Sequence, residues 1–215
     1  MTTPAPHPEL PLVIVNGLGA PRLAAQLYSL RFRRQRRNVF IAPQKCLYYG
    51  DVRQSARLVA RQVDEALDRT GSSQVQIVGM SLGGLIGHYY LACLGGAAKT
   101  ECFISIGGPL SGSALARLGQ VPPITLAPAV GQCRPGSEVM QEIEAAAAWD
   151  GVRLYAVGTR GDAITPKSAW TAPKFRTIET PHGIFPIGHW MLFTHPQNQR
   201  IVEGLLQGRE PDANT

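Results

Sequence analysis

The sequence predicts an α/β fold: a mostly parallel sheet of about six strands with helices on both faces. Three observations carry this. Short apolar runs rich in β-branched residues alternate with longer stretches of helical spacing, the rhythm of parallel strands joined by crossover helices. Hydrophobic residues make up 44% of the chain and charged residues 17%, a globular balance rather than a disordered one. The 215 residues suffice for one domain with a substantial core and are too few for two comfortable ones.

Each element has its own signal. Leu12-Val13-Ile14-Val15 reads as a buried strand ended by Asn16-Gly17. From about Pro21 to Arg34 the spacing is helical, with Leu23, Leu27 and Leu30 on one face. Asn38 to Ile41 reads as the second strand. Asp51 is an N-cap for a helix that ends at Gly71. Val75 to Val78 is the third strand, and Leu82 to Leu94 an almost uncharged, hence buried, helix. Cys102 to Ile106 is the fourth strand. Prolines break the rhythm between Gly108 and Gly136, so a loop-rich segment is expected there. The Gly108 to Ala148 insert is modest and makes at most a minimal cap. Ser137 caps a helix running to about Ala148. Val152 to Val157 and the weaker Arg176 to Ile178 are the last strands, and His189 to Leu206 holds the last helix. Residues 1–11 read as a flexible Pro-rich arm, 12–207 as the single domain, and 208–215 as a loose tail.

Charge and cysteine usage exclude several classes. The net charge is +6, and the densest run is Arg31-Phe32-Arg33-Arg34-Gln35-Arg36-Arg37. It lies at a helix end, where cations suit the macrodipole. The competing reading is steering of an acidic ligand or a lipid headgroup. Neither aromatic interleaving nor finger spacing supports nucleic-acid readout. Cys46, Cys93, Cys102 and Cys133 form no CxxC pair and join no histidine cluster, so no zinc site is expected. Cys93 and Cys102 fall in apolar stretches and read as core residues. The arm lacks the basic and apolar regions of a signal peptide, and no apolar run reaches the length of a membrane helix. A cytoplasmic protein is expected, or a secreted one whose signal has been removed.

The chemistry-bearing segment is Gly79-Met80-Ser81-Leu82-Gly83-Gly84, with a strand before it and a helix after it. A serine between strand end and helix start sits on a sharp, strained turn that bulky neighbours would crowd. Glycines two before and two after relieve the crowding, and Gly84 lets the helix approach the sheet. A phosphate-binding turn would instead prefer GxGxxG or a following Lys-Ser/Thr. Ser81 is therefore the candidate nucleophile.

A serine hydroxyl needs a base, and the base needs an orienting carboxylate. His189 lies in Gly188-His189-Trp190, where the last helix begins, and is the candidate base. His182 is its rival in a Gly/Pro-rich loop. His195 sits just before Pro196, and His88 is carried away from the turn along its helix. Asp162 follows the Val152–Val157 strand and is the candidate acid. It also reads as a turn or cap residue beside Thr165. Asp150 precedes that strand and belongs at the opposite edge. For the oxyanion, the backbone N–H groups of Leu18 and Leu82 are the candidate donors. Leu18, Met80, Leu110 and Trp190 are candidates for an apolar wall along the substrate.

Together these pieces resemble the small bacterial lipases and esterases of the α/β-hydrolase superfamily. The matching segments include Val13–Leu18, Gly79–Gly84, Ile106–Ser113, Gly161–Pro166 and Gly188–Leu192, which span nearly the whole domain. One departure is Asn16-Gly17, where such lipases usually carry His-Gly. The resemblance implies hydrolysis of carboxylic esters through an acyl-enzyme, with no metal or organic cofactor and a small-molecule or lipid ester as substrate. Peripheral lipid contact is compatible with it; nucleic acid is not an expected partner. An acyltransferase or thioesterase could use the same three residues, and a non-catalytic binding protein could keep the same fold.

Overall fold

Parallel strands covered on both faces must be apolar along their whole length. Leu12–Val15 (β1) meets that demand, and Val75–Met80 (β3), with Gln76 its one polar side chain, and most of Thr100–Ile106 (β4) are buried beside it. A computed structural model describes residues 10–43, 50–113, 127–146 and 150–209. With Val39–Ile41 (β2), Arg153–Gly158 (β5) and Arg176–Glu179 (β6), the strands form one six-stranded sheet in the order β2-β1-β3-β4-β5-β6, with all pairs parallel. The register places Val15 beside Gly79, Met80 beside Ile106, and Gly158 beside Glu179. The loops after β1, β3 and β5 therefore leave from one edge of the sheet. The chain turns to one side after β1 and to the other with β3, and such switch points open a crevice at the carboxyl edge.

Strand alternation divides the core in two. Val13, Val15, Ile77 and Phe103 face Val52–Thr70 (α2), Leu82–Cys93 (α3) and Glu138–Ala145 (α5). Leu12, Ile14, Val78 and Ile104 face Arg22–Arg34 (α1) and Pro196–Leu206 (α8). The caps fall where the sequence places them. The Asp51 carboxylate accepts from the Arg53 N–H at 2.7 Å and the Gln54 N–H at 3.3 Å. Such a cap contributes about 1 kcal/mol. At its other end, Gly71 takes the left-handed conformation and closes α2. The Ser137 hydroxyl caps α5.

Three features differ from the expectation. The last helix is two: Gly188–Thr194 (α7) and α8, because Pro196 cannot continue the ladder. The Asn198 amide bridges the break, donating to the Met191 carbonyl at 2.9 Å and the His182 carbonyl at 3.0 Å. The loop-rich region contains a short helix, Pro128–Gln132 (α4), and Lys167–Trp170 (α6) follows β5. The third difference is the apolar stripe of α1. Leu23, Leu27 and Leu30 do share a face, but that face is exposed, and the helix instead buries Ala25, Tyr28, Ser29 and Phe32. Cys102 is buried as expected and Cys93 only half so. The arm at 1–9, Cys46, parts of the cap segment (114–126 and 147–148, with the expected helix end at Ala148) and the tail beyond 209 lie outside the described residues.

Candidate active site

Ser81 stands between β3 and α3 with φ 52° and ψ −125°. A non-glycine residue held there stores strain of about 1–3 kcal/mol, so its surroundings must enforce the turn. They do so through the backbone. The Ser81 N–H donates to the Ile106 carbonyl at 2.8 Å, and the Gly84 N–H donates to the Ser81 carbonyl at 2.8 Å. The flanking glycines have a steric reason. A Cβ on Gly79 would lie 2.5 Å from the Gly83 carbonyl oxygen, and one on Gly83 would fall onto the Val15 carbonyl.

Asp162 and His189 are brought to this turn by two loops that are clamped together. The Gly188 N–H donates to the Gly161 carbonyl at 3.1 Å, and Asp162 bridges Ile187 in antiparallel fashion. His189 Nε2 lies 3.0 Å from Ser81 Oγ, and His189 Nδ1 lies 2.7 Å from Asp162 Oδ2. A carboxylate only accepts, so Nδ1 carries the proton and Nε2 is left to accept from the serine hydroxyl. Asp162 also caps its own loop, its Oδ1 accepting from the N–H groups of Ile164 and Thr165, both at 2.8 Å. Burial pushes the Asp162 carboxyl up. The hydrogen bond and charge of His189, with the Thr165 donors, outweigh that and hold it below the usual carboxylate range. The aspartate is thus ionised at neutral pH and suited to stabilise a positive imidazole.

The other candidates stay apart from Ser81. His88 is buried on α3 with its ring 5.0 Å from Phe175, and burial, helped by Lys174, pushes it down to about 4. His182 and His195 stack on each other with ring centroids 4.6 Å apart. Asp150 precedes β5 and is exposed. Among the described residues, no group of three or more His, Cys, Asp or Glu stands where it could hold a metal ion.

A cleft of about 790 Å³ opens over Ser81. Leu18, Met80 and Trp190 line it, as the sequence suggests. Leu110 does not: it is buried in the layer of α2, α3 and α5. Leu82 opens α3, so its N–H is one of the donors that a helix start leaves unpaired. Leu18 lies in the turn after β1. Gly17 approaches so closely there that a Cβ would sit 3.0 Å from Ser81 Cβ. The departure at Asn16 is structural: its amide donates to the Pro21 carbonyl at 3.0 Å and the Ala20 carbonyl at 3.3 Å, fastening this loop to α1.

Sequence reasoning gave no role to two sets of residues here. Ala24, Leu27 and Tyr28 of α1 form one wall of the cleft, and Phe193 and Thr194 of α7 form another. Only the tertiary arrangement that sets α1 and α7 around the same cleft reveals this. Thr165 is buried with its hydroxyl 2.7 Å from Asp162 Oδ2, 3.2 Å from His189 Nδ1 and 3.0 Å from the Gly107 carbonyl. Its place three residues after a loop aspartate was the available signal.

No protein-family model matches the sequence, and no curated protein does so. Solved structures do. The mature lipase BlEst2 of Bacillus licheniformis superposes with a TM-score of 0.78 at 16% identity, over 95% of this chain and 96% of that one. The chain has the α/β-hydrolase fold. Lipase B of Aspergillus fumigatus matches 94% of this chain and 53% of its own, with a TM-score of 0.69 and 17% identity. A structure from a study of carboxylesterases of the thaumarchaeon Nitrososphaera gargenis matches 93% and 90%, with a TM-score of 0.60 and 16% identity. Within this α/β-hydrolase fold, Ser81 follows the third strand and the Asp162 and His189 loops meet it from the far side of the same edge.

Proposed function

We propose that the protein is a serine hydrolase that cleaves carboxylic esters through an acyl-enzyme. The observation that carries this is the buried relay from Asp162 to His189 to Ser81, with contacts of 2.7 Å and 3.0 Å, opening into an apolar cleft. The structural neighbours include two lipases and a protein from a study of carboxylesterases, which supports the same reaction class. Ser81 Oγ attacks the ester carbonyl carbon as His189 Nε2 takes its proton. Asp162 holds the imidazole tautomer and stabilises the imidazolium. The N–H groups of Leu18 and Leu82 receive the oxyanion, a role in which each donor is worth about 10²–10³ in turnover. His189 then protonates the leaving alcohol, and water, activated by the same imidazole, releases the acid. Met80, Leu27 and Trp190 give the cleft an apolar surface suited to a hydrocarbon chain.

The test is a chain-length series of nitrophenyl esters on the unaltered protein and on Ser81→Ala, together with labelling by a fluorophosphonate. Hydrolysis and labelling at Ser81 are expected in the first protein. A drop of about 10⁴ or more in turnover is expected in the second. A folded protein that is neither labelled nor active sinks the proposal. Ester products that accumulate when an alcohol is added would assign acyl transfer instead.

A further inference from the structure

The cleft is framed by apolar side chains that the fold leaves uncovered. Among the described residues, every large apolar side chain that is exposed lies on α1, at Ile164, or between 184 and 190. On the α1 rim, Leu23 and Leu27 are each 59% exposed and Leu30 44%. Across the cleft, Ile184, Phe185 and Ile187 are exposed, with Phe185 at 72%, and Trp190 stands at 58%. Leu27, Ile164 and Trp190 line the cleft itself, so both rims continue its surface outward. Clustering of this kind marks an interaction surface; scattered apolar residues would not.

Charge identifies the occupant. The chain holds no Asp or Glu between Leu10 and Gly50, and residues 180–199 carry no Asp, Glu, Lys or Arg at all. Arg34 follows Leu30 by one turn on the leucine face, and Arg33 and Arg36 are exposed beside it. Three arginines of the run are spoken for. Arg33 donates to the Val39 carbonyl at 2.8 Å and the Ser29 hydroxyl at 3.2 Å. Arg31 pairs with Glu203, and Arg37 is buried against Gln76 and the Leu10 carbonyl. A second copy of this face would bring the same arginines and no carboxylate from these segments to meet them. An anionic lipid surface supplies both halves: acyl chains for the leucines and the 184–190 rim, and headgroup phosphates for the guanidiniums.

We infer that the α1 leucine stripe, Arg34 and Arg36, and the 184–190 rim together dock the protein onto anionic lipid surfaces, with the cleft facing the lipid. The docking does not depend on the reaction proposed above, and the experiment keeps the two apart. Full-length Ser81→Ala, which cannot form an acyl-enzyme, is co-sedimented with vesicles of phosphatidylcholine and with vesicles of equimolar phosphatidylcholine and phosphatidylglycerol. Binding to the mixed vesicles is expected, weakening with salt and far weaker on phosphatidylcholine alone. Adding Leu23→Ser and Leu30→Ser should lower it by roughly tenfold or more. Arg34→Gln with Arg36→Gln should lower it by roughly fivefold per arginine. Thermal unfolding confirms that each variant is folded, and Phe185→Ser tests the opposite rim independently. Absent binding, equal binding to both vesicles, or binding unchanged in the folded leucine and Phe185 variants overturns the inference. So does a dimer in solution that the leucine substitutions dissociate.

Discussion

Helices α1 and α3 follow adjacent strands of one sheet and treat their apolar residues in opposite ways. Every residue of α3 from Leu82 to Leu91 is buried. On α1 the leucines face outward, while Tyr28 and Ser29 face in. The cause is what each helix covers. α3 lies over the middle of the sheet, packed on β1, β3 and β4 and flanked by α2 and α5. α1 lies mainly over β1 and β2 at one side, where it turns only a narrow seam of Ala25, Tyr28 and Phe32 to the core. A leucine in one helix is packing, and in the other it is surface.

Substitutions can sharpen or break that contrast. The largest effect belongs to α3. Leu85→Ala should cost about 2–5 kcal/mol of unfolding free energy in urea titrations, since the side chain is fully buried and its removal leaves a cavity. A value near zero would mean that α3 is not held as the structure has it. His88 gives the next effect, and it depends on pH. Its folded pKa of about 4 lies below its usual 6.5, because of burial and then of Lys174. The unfolded chain therefore takes up a proton, as pH falls through 6.5, that the folded chain refuses until about pH 4. His88's contribution is intact above that window and is lost across it, on the order of 3 kcal/mol. In His88→Leu that portion of the acid loss should be missing when unfolding is compared at pH 7 and pH 4. Identical acid losses would place His88 in a wetter setting than α3 provides. The smallest effect belongs to α1: Leu23→Ala should change stability by no more than about 0.5 kcal/mol. A cost like that of Leu85→Ala would break the contrast outright.

How much of this was legible in the sequence follows from the same physics. The turn at Ser81 was readable because its glycines answer to collisions between neighbouring backbones, which local spacing encodes. Asp162 was readable from its place after β5, and its second role as a cap came from the same residues. The face of α1 was not readable. Periodicity gathers Leu23, Leu27 and Leu30 into a stripe and carries no sign for in or out. The break before α8 was written in Pro196, but the helical spacing on both sides masked it. Leu110 was misplaced in the cleft because a loop residue after β4 can turn to either layer. Tyr28 and Phe193 were missed because they meet only through the tertiary packing of distant helices.

The backbone at Ser81 sets two kinds of selection against each other. Its φ of 52° suits glycine far better than serine. Ser81→Gly should therefore resist urea better than Ser81→Ala by about 1 kcal/mol, with both proteins inactive. A lineage of this chain released from the need to react would drift at position 81 toward a sturdier fold. A serine kept there against that drift is what the proposed reaction requires.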